Sequence, residues 1–153
     1  MKKLLKTTIL IIPVFFLVYD LAAQKKETDK PESAILKSPE DPGLQWGPCP
    51  PFMPDGCAIA VLHGDPSKKN VDVFFKVPAN STIPYHWHNS AERMILLSGE
   101  LEVTYIGEKS QTLKAGHYAY GPAKKSHSAK CGSTGPCILF IAFEEPLDAF
   151  LKE

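Results

Sequence analysis

Five residues in one short run, His86, His88, Asn89, Ser90 and Glu92, have types and spacing that could do chemistry. In an extended strand alternate side chains share a face, so His86 and His88 point one way and Trp87 the other. Their imidazoles can therefore converge on one point. Asn89-Ser90 has turn chemistry, which lets the chain reverse and bring Glu92 back on the next strand. Two neutral imidazoles and a carboxylate aimed at one point suit a divalent first-row metal. A third histidine, His127, follows a strand and the Gly121-Pro122 turn. An isolated histidine is more often a buried or surface polar residue than a ligand. Here three of the five histidines fall at spacings that one site would need.

These residues resemble the cupin family. The family's first motif reads Gly, five residues, His-x-His, three or four residues, Glu, six residues, Gly. The chain matches at His86, His88, Glu92 and Gly99, with Asn80 in the first glycine position. Asn, like Gly, accepts left-handed backbone angles. In the second motif Gly116, Pro122 and His127 match, Lys124 stands where the middle glycine belongs, and Cys131 replaces the final Asn. The resemblance implies His86, His88, Glu92 and His127 as ligands of one divalent ion, with iron, manganese or zinc favoured and nickel or copper admissible. Three imidazoles and a carboxylate leave one or two positions open on a five- or six-coordinate ion, as in non-haem iron chemistry. Ordinary imidazoles titrate near ~6.5, so such a site would release its ion below about pH 6.

The elements that must position these residues read as strands. Fourteen prolines, ten glycines and short apolar runs favour an all-β chain. Expected strands are residues 58–62, 71–77, 93–97, 101–105, 110–114, 117–120 and 137–143, the last apolar throughout and so buried on both sides. The pattern Leu101, Val103, Tyr105 against Glu102, Thr104 is that of a half-buried strand. Trp46 to Cys57 reads as a loop packed with φ-restricted residues. Residues 144–153 form a short helix or an added strand. About eight strands fit a double-stranded β-helix, the jelly roll expected of cupins. A Gly64-Asp65-Pro66 turn and the Pro-rich run before it resemble a group of small single-domain cupins of unassigned function. Edge strands in such a barrel commonly pair across a twofold axis, which makes a homodimer the candidate assembly.

Tyr118 and Tyr120 share a face. Facing inward, they would line the pocket or orient a ligand histidine. Otherwise they are core tyrosines with hydroxyls at the rim. His63 lies outside both motifs and suits a surface or turn role.

Met1 to Lys6 is basic, residues 9–18 are apolar, and Ala22-Ala23 precede Gln24. These are the parts of a secretory signal peptide over residues 1–23. Asp20 and Pro13 make the run too short and broken for a membrane anchor, which needs about 20 apolar residues. No stable membrane span is expected after cleavage, and no Cys follows the cleavage region to make a lipoprotein. Residues 24–43 are too polar to fold alone and read as a flexible tail. The cupin domain then covers 44–153. In an exported, periplasmic or secreted chain, four cysteines suggest disulfides. Cys49 with Cys57 and Cys131 with Cys137 are the favoured pairs, because each pair flanks a turn.

Lys plus Arg and Asp plus Glu number 17 each, so no charge bias recommends a nucleic acid as partner. A small molecule is the expected ligand. The leaning is a metal-dependent oxidoreductase of dioxygenase-like chemistry with unknown substrate. The alternative is a non-catalytic module that binds or senses a small ligand or metal, as in zinc-containing anti-sigma factors. The fold alone does not choose between them.

Overall fold

The structure, a computed structural model, describes residues 32–152. The signal-peptide reading and the first part of the tail lie outside them. Residues 32–43 contain turns but no strand, and no helix of the described residues is long and apolar enough to cross a membrane. Leu36–Glu153 forms one compact unit.

The described residues form eleven strands in order: β1 Trp46–Pro48, β2 Ala58–His63, β3 Val71–Val77, β4 Thr82–Trp87, β5 Glu92–Ser98, β6 Glu100–Tyr105, β7 Gln111–Lys114, β8 Tyr118–Gly121, β9 His127–Cys131, β10 Cys137–Phe143 and β11 Phe150–Leu151. They form a six-stranded sheet in the order β1-β2-β3-β10-β5-β8 and a five-stranded sheet in the order β11-β4-β9-β6-β7. All pairings are antiparallel. This is the jelly roll expected. Beyond the spans expected, His127–Cys131 is itself a strand, β9, and two short strands are added. Trp46-Gly47-Pro48, read as loop, pairs with Ala58–Ala60, and the tail's Phe150-Leu151 takes the added-strand alternative by pairing with His86-Trp87.

Alternation decides what faces inward. On β5 the side chains of Glu92, Met94 and Leu96 are buried, whereas Arg93, Ile95 and Leu97 are exposed. On β6 Leu101, Val103 and Tyr105 are buried, as their spacing predicts. These inner faces meet Val73, Leu139 and Ile141 in one core. Leu96 and Leu139 are almost wholly buried, and a side chain of this kind contributes about 1.5–3 kcal/mol on burial. β10 departs from expectation. Its outward Phe140 and Ala142 are half-buried rather than enclosed.

Strict alternation fails on β4, with functional effect. Ile83 and His86 are both buried although three residues apart. Ile83 pairs with Ala129 and His86 with His127, so β4 holds one extra residue between two pairs that are two apart on β9. A bulge of this kind re-aims the side chains that follow it. Pro84, which has no N–H to give a ladder, sits inside it. Without the bulge an inward Ile83 would put Tyr85 inside and His86 outside.

Both favoured disulfides are formed, Cys49–Cys57 with Cα atoms 5.7 Å apart and Cys131–Cys137 with Cα atoms 5.8 Å apart. Gly99, the closing glycine of the first motif, has φ 81°, and a Cβ there would lie 2.9 Å from Cys137 Sγ. Asn80 and Lys124, which stand in glycine positions of the motifs, both adopt left-handed angles, with φ 60° and 61°. The turn at Lys124 matters to the site, because the Lys124 N–H donates to the His88 carbonyl at 2.7 Å. A left-handed L-residue is strained relative to glycine. Lys124→Gly is therefore expected to raise stability by about 0.5–1 kcal/mol in urea unfolding. A loss of stability would mean that the side chain outweighs the backbone strain.

Candidate metal centre

His86 lies near the end of β4, His88 one residue past it, Glu92 opens β5 and His127 opens β9. All four are buried, each at 7% exposure or less. Imidazole ring centroids are 4.9 Å apart for His86 and His88, 4.3 Å for His86 and His127, and 5.5 Å for His88 and His127. One nitrogen from each of the three lies within 4.8 Å of the others. Glu92 completes the set from the opposite sheet, its Oε1 3.4 Å from His88 Nε2 and its Oε2 3.6 Å from His127 Nε2.

The other ring nitrogen of each histidine faces a backbone carbonyl. His86 Nδ1 lies 2.8 Å from Pro84 O, His127 Nδ1 lies 3.2 Å from Lys125 O, and His88 Nδ1 meets Asp148 O. A carbonyl oxygen only accepts, so each Nδ1 carries the proton and each Nε2 keeps its lone pair. This arrangement orients ligand histidines in metal sites. Burial lowers His86 from 6.5 to about 3, with the neighbouring His127 and His88 adding to the effect. It lowers His127 too, partly opposed by the Glu92 carboxylate. Protons therefore compete for these nitrogens at lower pH than ordinary imidazoles would allow. The expectation of metal release near pH 6 moves downward accordingly.

The site opens into a cavity of about 420 Å³ inside the barrel. Its wall is apolar and includes buried Leu101, Leu139 and Ile141, while half-buried Cys49, Pro50, Met53 and segment 147–149 also line it. Phe143 packs edge-on against His88 at 5.7 Å.

Tyr118 and Tyr120 do not join this site. Opposite Ile95 and Arg93 in register, they project from the outer face of β8 and are 61% and 53% exposed. β8 turns Ala119 and Gly121 inward instead, because Glu92 and Met94 opposite them face the core. His63 and His117 are exposed and outside the cluster.

The tyrosine beside the histidines is Tyr105, which the sequence reading took only as a half-buried strand residue. Its ring stands 4.9 Å from that of His127. Its hydroxyl is buried without a hydrogen-bond partner. Burial first, then the Glu92 charge, pushes the phenol above its ordinary range, so it remains a donor. Gly121 makes the space: a Cβ there would fall 2.5 Å from the Tyr105 hydroxyl and 3.0 Å from Glu92 Oε2.

Two further residues hold the site from a distance in sequence. Asp148 accepts from the Asn89 N–H at 2.9 Å and from its side-chain amide at 2.7 Å, while its backbone carbonyl accepts from the His88 Nδ1–H. Ser90 Oγ accepts from the N–H groups of Glu144 and Glu145 at 2.8 and 3.1 Å. Asn89-Ser90 is thus a turn pinned to segment 144–148. Only the turn was visible in the sequence.

A barrel of two antiparallel sheets with an inward His₃Glu cluster defines the class: a jelly roll built around a candidate metal site. Residues 73–143 match the model of the cupin domain family, and the chain carries a cupin domain. Similar solved structures agree on the fold. The DMSP lyase DddQ from Ruegeria pomeroyi is 21% identical with a TM-score of 0.62, over 71% of this chain and 61% of the lyase. The polyketide cyclase RemF from Streptomyces resistomycificus is 15% identical with a TM-score of 0.64, over 78% of this chain and 87% of the cyclase. Oxalate decarboxylase from Bacillus subtilis is 19% identical with a TM-score of 0.55, over 63% of this chain and 28% of the decarboxylase. No curated protein sequence matches the chain.

The depressed histidines carry a consequence for the metal-free protein. Between pH 6.5 and about 3 the unfolded chain binds a proton at His86 that the folded chain refuses, so stability falls as pH falls and is level above that window. Urea unfolding between about pH 7 and 5, above the ordinary carboxylate range, should show stability declining with a slope of about one to two protons. A flat profile there would contradict buried, neutral imidazoles.

Proposed function

We propose that this cupin is an exported, metal-dependent enzyme acting on a small molecule. His86, His88, Glu92 and His127 hold one divalent ion, with iron, manganese or zinc favoured over nickel or copper. The single observation carrying this reading is that one ring nitrogen from each of three histidines and a buried carboxylate come together at the wall of a 420 Å³ cavity. Such an ion, when bound, supplies Lewis acidity and, for iron or manganese, one-electron redox capacity. The chain's own residues do the rest. The backbone carbonyls orient the imidazoles, the apolar wall excludes water, and Glu92 and Tyr105 are the groups beside the site able to accept or donate a proton. A dioxygenase-like oxidoreductase suits an arrangement with open coordination positions. Lyase, cyclase and decarboxylase are three different activities among the similar structures, so likeness does not select among them.

A second reading, a module that binds or senses a small ligand, is favoured by one observation. Apart from the cluster, Asp148 is the one ionisable side chain among the described residues that lines the cavity, which leaves few groups for acid–base work. Export is supported by the leader-like residues 1–23 and by two disulfides, which persist in oxidising compartments. A homodimer is part of the proposal. The exposed Ile95, Leu97 and Tyr118 beside edge strand β8 are its support.

One preparation from an exporting host tests these points together. Intact mass should place the N-terminus at Gln24, and retention of Met1 would refute export. Loaded anaerobically with ferrous iron and exposed to nitric oxide, the protein should give the electron paramagnetic resonance signal of an iron–nitrosyl adduct, which shows an open position. No adduct would refute the open site. An adduct without oxygen uptake across a panel of phenols and diketones would favour the binding module.

A further inference from the structure

The run from His86 to Asn89, which carries two of the candidate ligands, is gripped by the run from Asp148 to Leu151 near the C-terminus. Leu151 pairs with His86 and Phe150 with Trp87 in the β11–β4 ladder. The Asp148 carbonyl accepts from His88 Nδ1–H, and its carboxylate accepts from the Asn89 N–H and side-chain amide. Trp87 points outward between the two inward histidines. Phe150 stacks on its indole, with centroids 4.5 Å apart and planes at 25°. The stack thus holds from outside the residue whose two neighbours both face the cluster. In the sheet, β4 lies between β9 and β11, so release of β11 would leave the histidine-bearing strand at an edge.

The grip itself is slight. β11 is two residues long, Phe150 and Leu151 are 41% and 49% exposed, and residues 146–149 before it have no regular structure. The Leu147 N–H donates to Pro66 O and the Lys152 N–H to Tyr85 O, each at 2.9 Å. A short edge element with exposed side chains opens locally far more easily than the core. An ion held by His86 and His88 requires residues 86–89 in one arrangement, the same arrangement that Asp148 to Leu151 fit. Two events that favour one state favour each other, by an equal factor in either direction. Leu147, Asp148 and Ala149 also line the cavity, so the coupling extends to a wall that a ligand would touch. Resting on the proposed metal site, we propose that segment 147–152 is a latch whose docking is coupled to metal occupancy, with Phe150 as its positioning residue. The latch docks more firmly with the ion bound and opens more often without it.

Hydrogen exchange of full-length mature protein, followed by mass spectrometry with and without stoichiometric zinc, reads the latch directly. Zinc should slow exchange of the C-terminal peptide that holds the Leu147 and Lys152 amides about fivefold or more. Exchange in β7, at the opposite edge of the same sheet, should not change. Reciprocity sets the second arm. Phe150→Ala should weaken zinc binding about fivefold or more, measured by competition with a chromophoric chelator, and Phe150→Tyr, which keeps the stack, should restore it. Unchanged exchange of the C-terminal peptide at full zinc loading overturns the inference, as does equal slowing of that peptide and β7. A folded Phe150→Ala chain with the zinc affinity of the wild type overturns it as well. The exchange arm uses the unaltered protein, so it decides the matter even where Phe150→Ala fails to fold. A protein that takes up no zinc refutes the metal reading and the latch together, and the metal count tells this failure from the others.

Discussion

Three backbone carbonyls govern the structure's chemistry. The carbonyls of Pro84, Lys125 and Asp148 each accept a hydrogen bond from the Nδ1–H of one histidine. With that orientation fixed, the three imidazoles turn toward a common point, and burial lowers the affinity of His86 and His127 for a further proton. An isolated cluster of neutral imidazoles beside a carboxylate gains little by itself, since Nε2 has no donor to accept from. The arrangement makes chemical sense when a cation supplies the missing positive partner.

Everything else serves to bring those carbonyls to the rings. The β4 bulge turns His86 inward while keeping Ile83 in the core. The Lys124 turn fixes the His88 carbonyl, and through the same loop it sets where β9 starts with His127. Asp148 comes from the far end of the chain and reaches the His88–Asn89 peptide because Ser90 gathers the N–H groups of Glu144 and Glu145. The oxygen of Ser90 donates to Ala91 O as well, at 2.6 Å, so a buried hydroxyl is satisfied three times over. The cost of leaving two such N–H groups unpaired, about 1–3 kcal/mol each, is what ties the C-terminal segment to the site.

Local patterns in the sequence carried the parts of this that local chemistry controls. His-x-His followed by Asn-Ser and Glu located the cluster, alternation in 101–105 located the inner face of that strand, and cysteines flanking turns located both disulfides. Non-local choices were hidden. Tyr118 and Tyr120 were known to share a face, but which face depended on pairing Ala119 with Met94. Tyr105 reaches the site only because β6 lies beside β9, placing it opposite His127. Asp148 and Ser90 have partners more than fifty residues away, and no spacing rule announces them. The bulge is a single extra residue, and Pro84 was its one mark. The left-handed angles at Asn80 and Lys124 show that the motif's glycine positions constrain the backbone even where the residue has changed.

The central claim is a single ion held by three imidazoles through Nε2 and by one carboxylate. X-ray absorption at the metal edge of zinc-loaded protein reads that shell directly. The account predicts three imidazoles with their outer-ring scattering and a nitrogen or oxygen shell near ~2.0–2.1 Å, with no sulfur. A sulfur shell near ~2.3 Å, or fewer than two imidazoles, would contradict it.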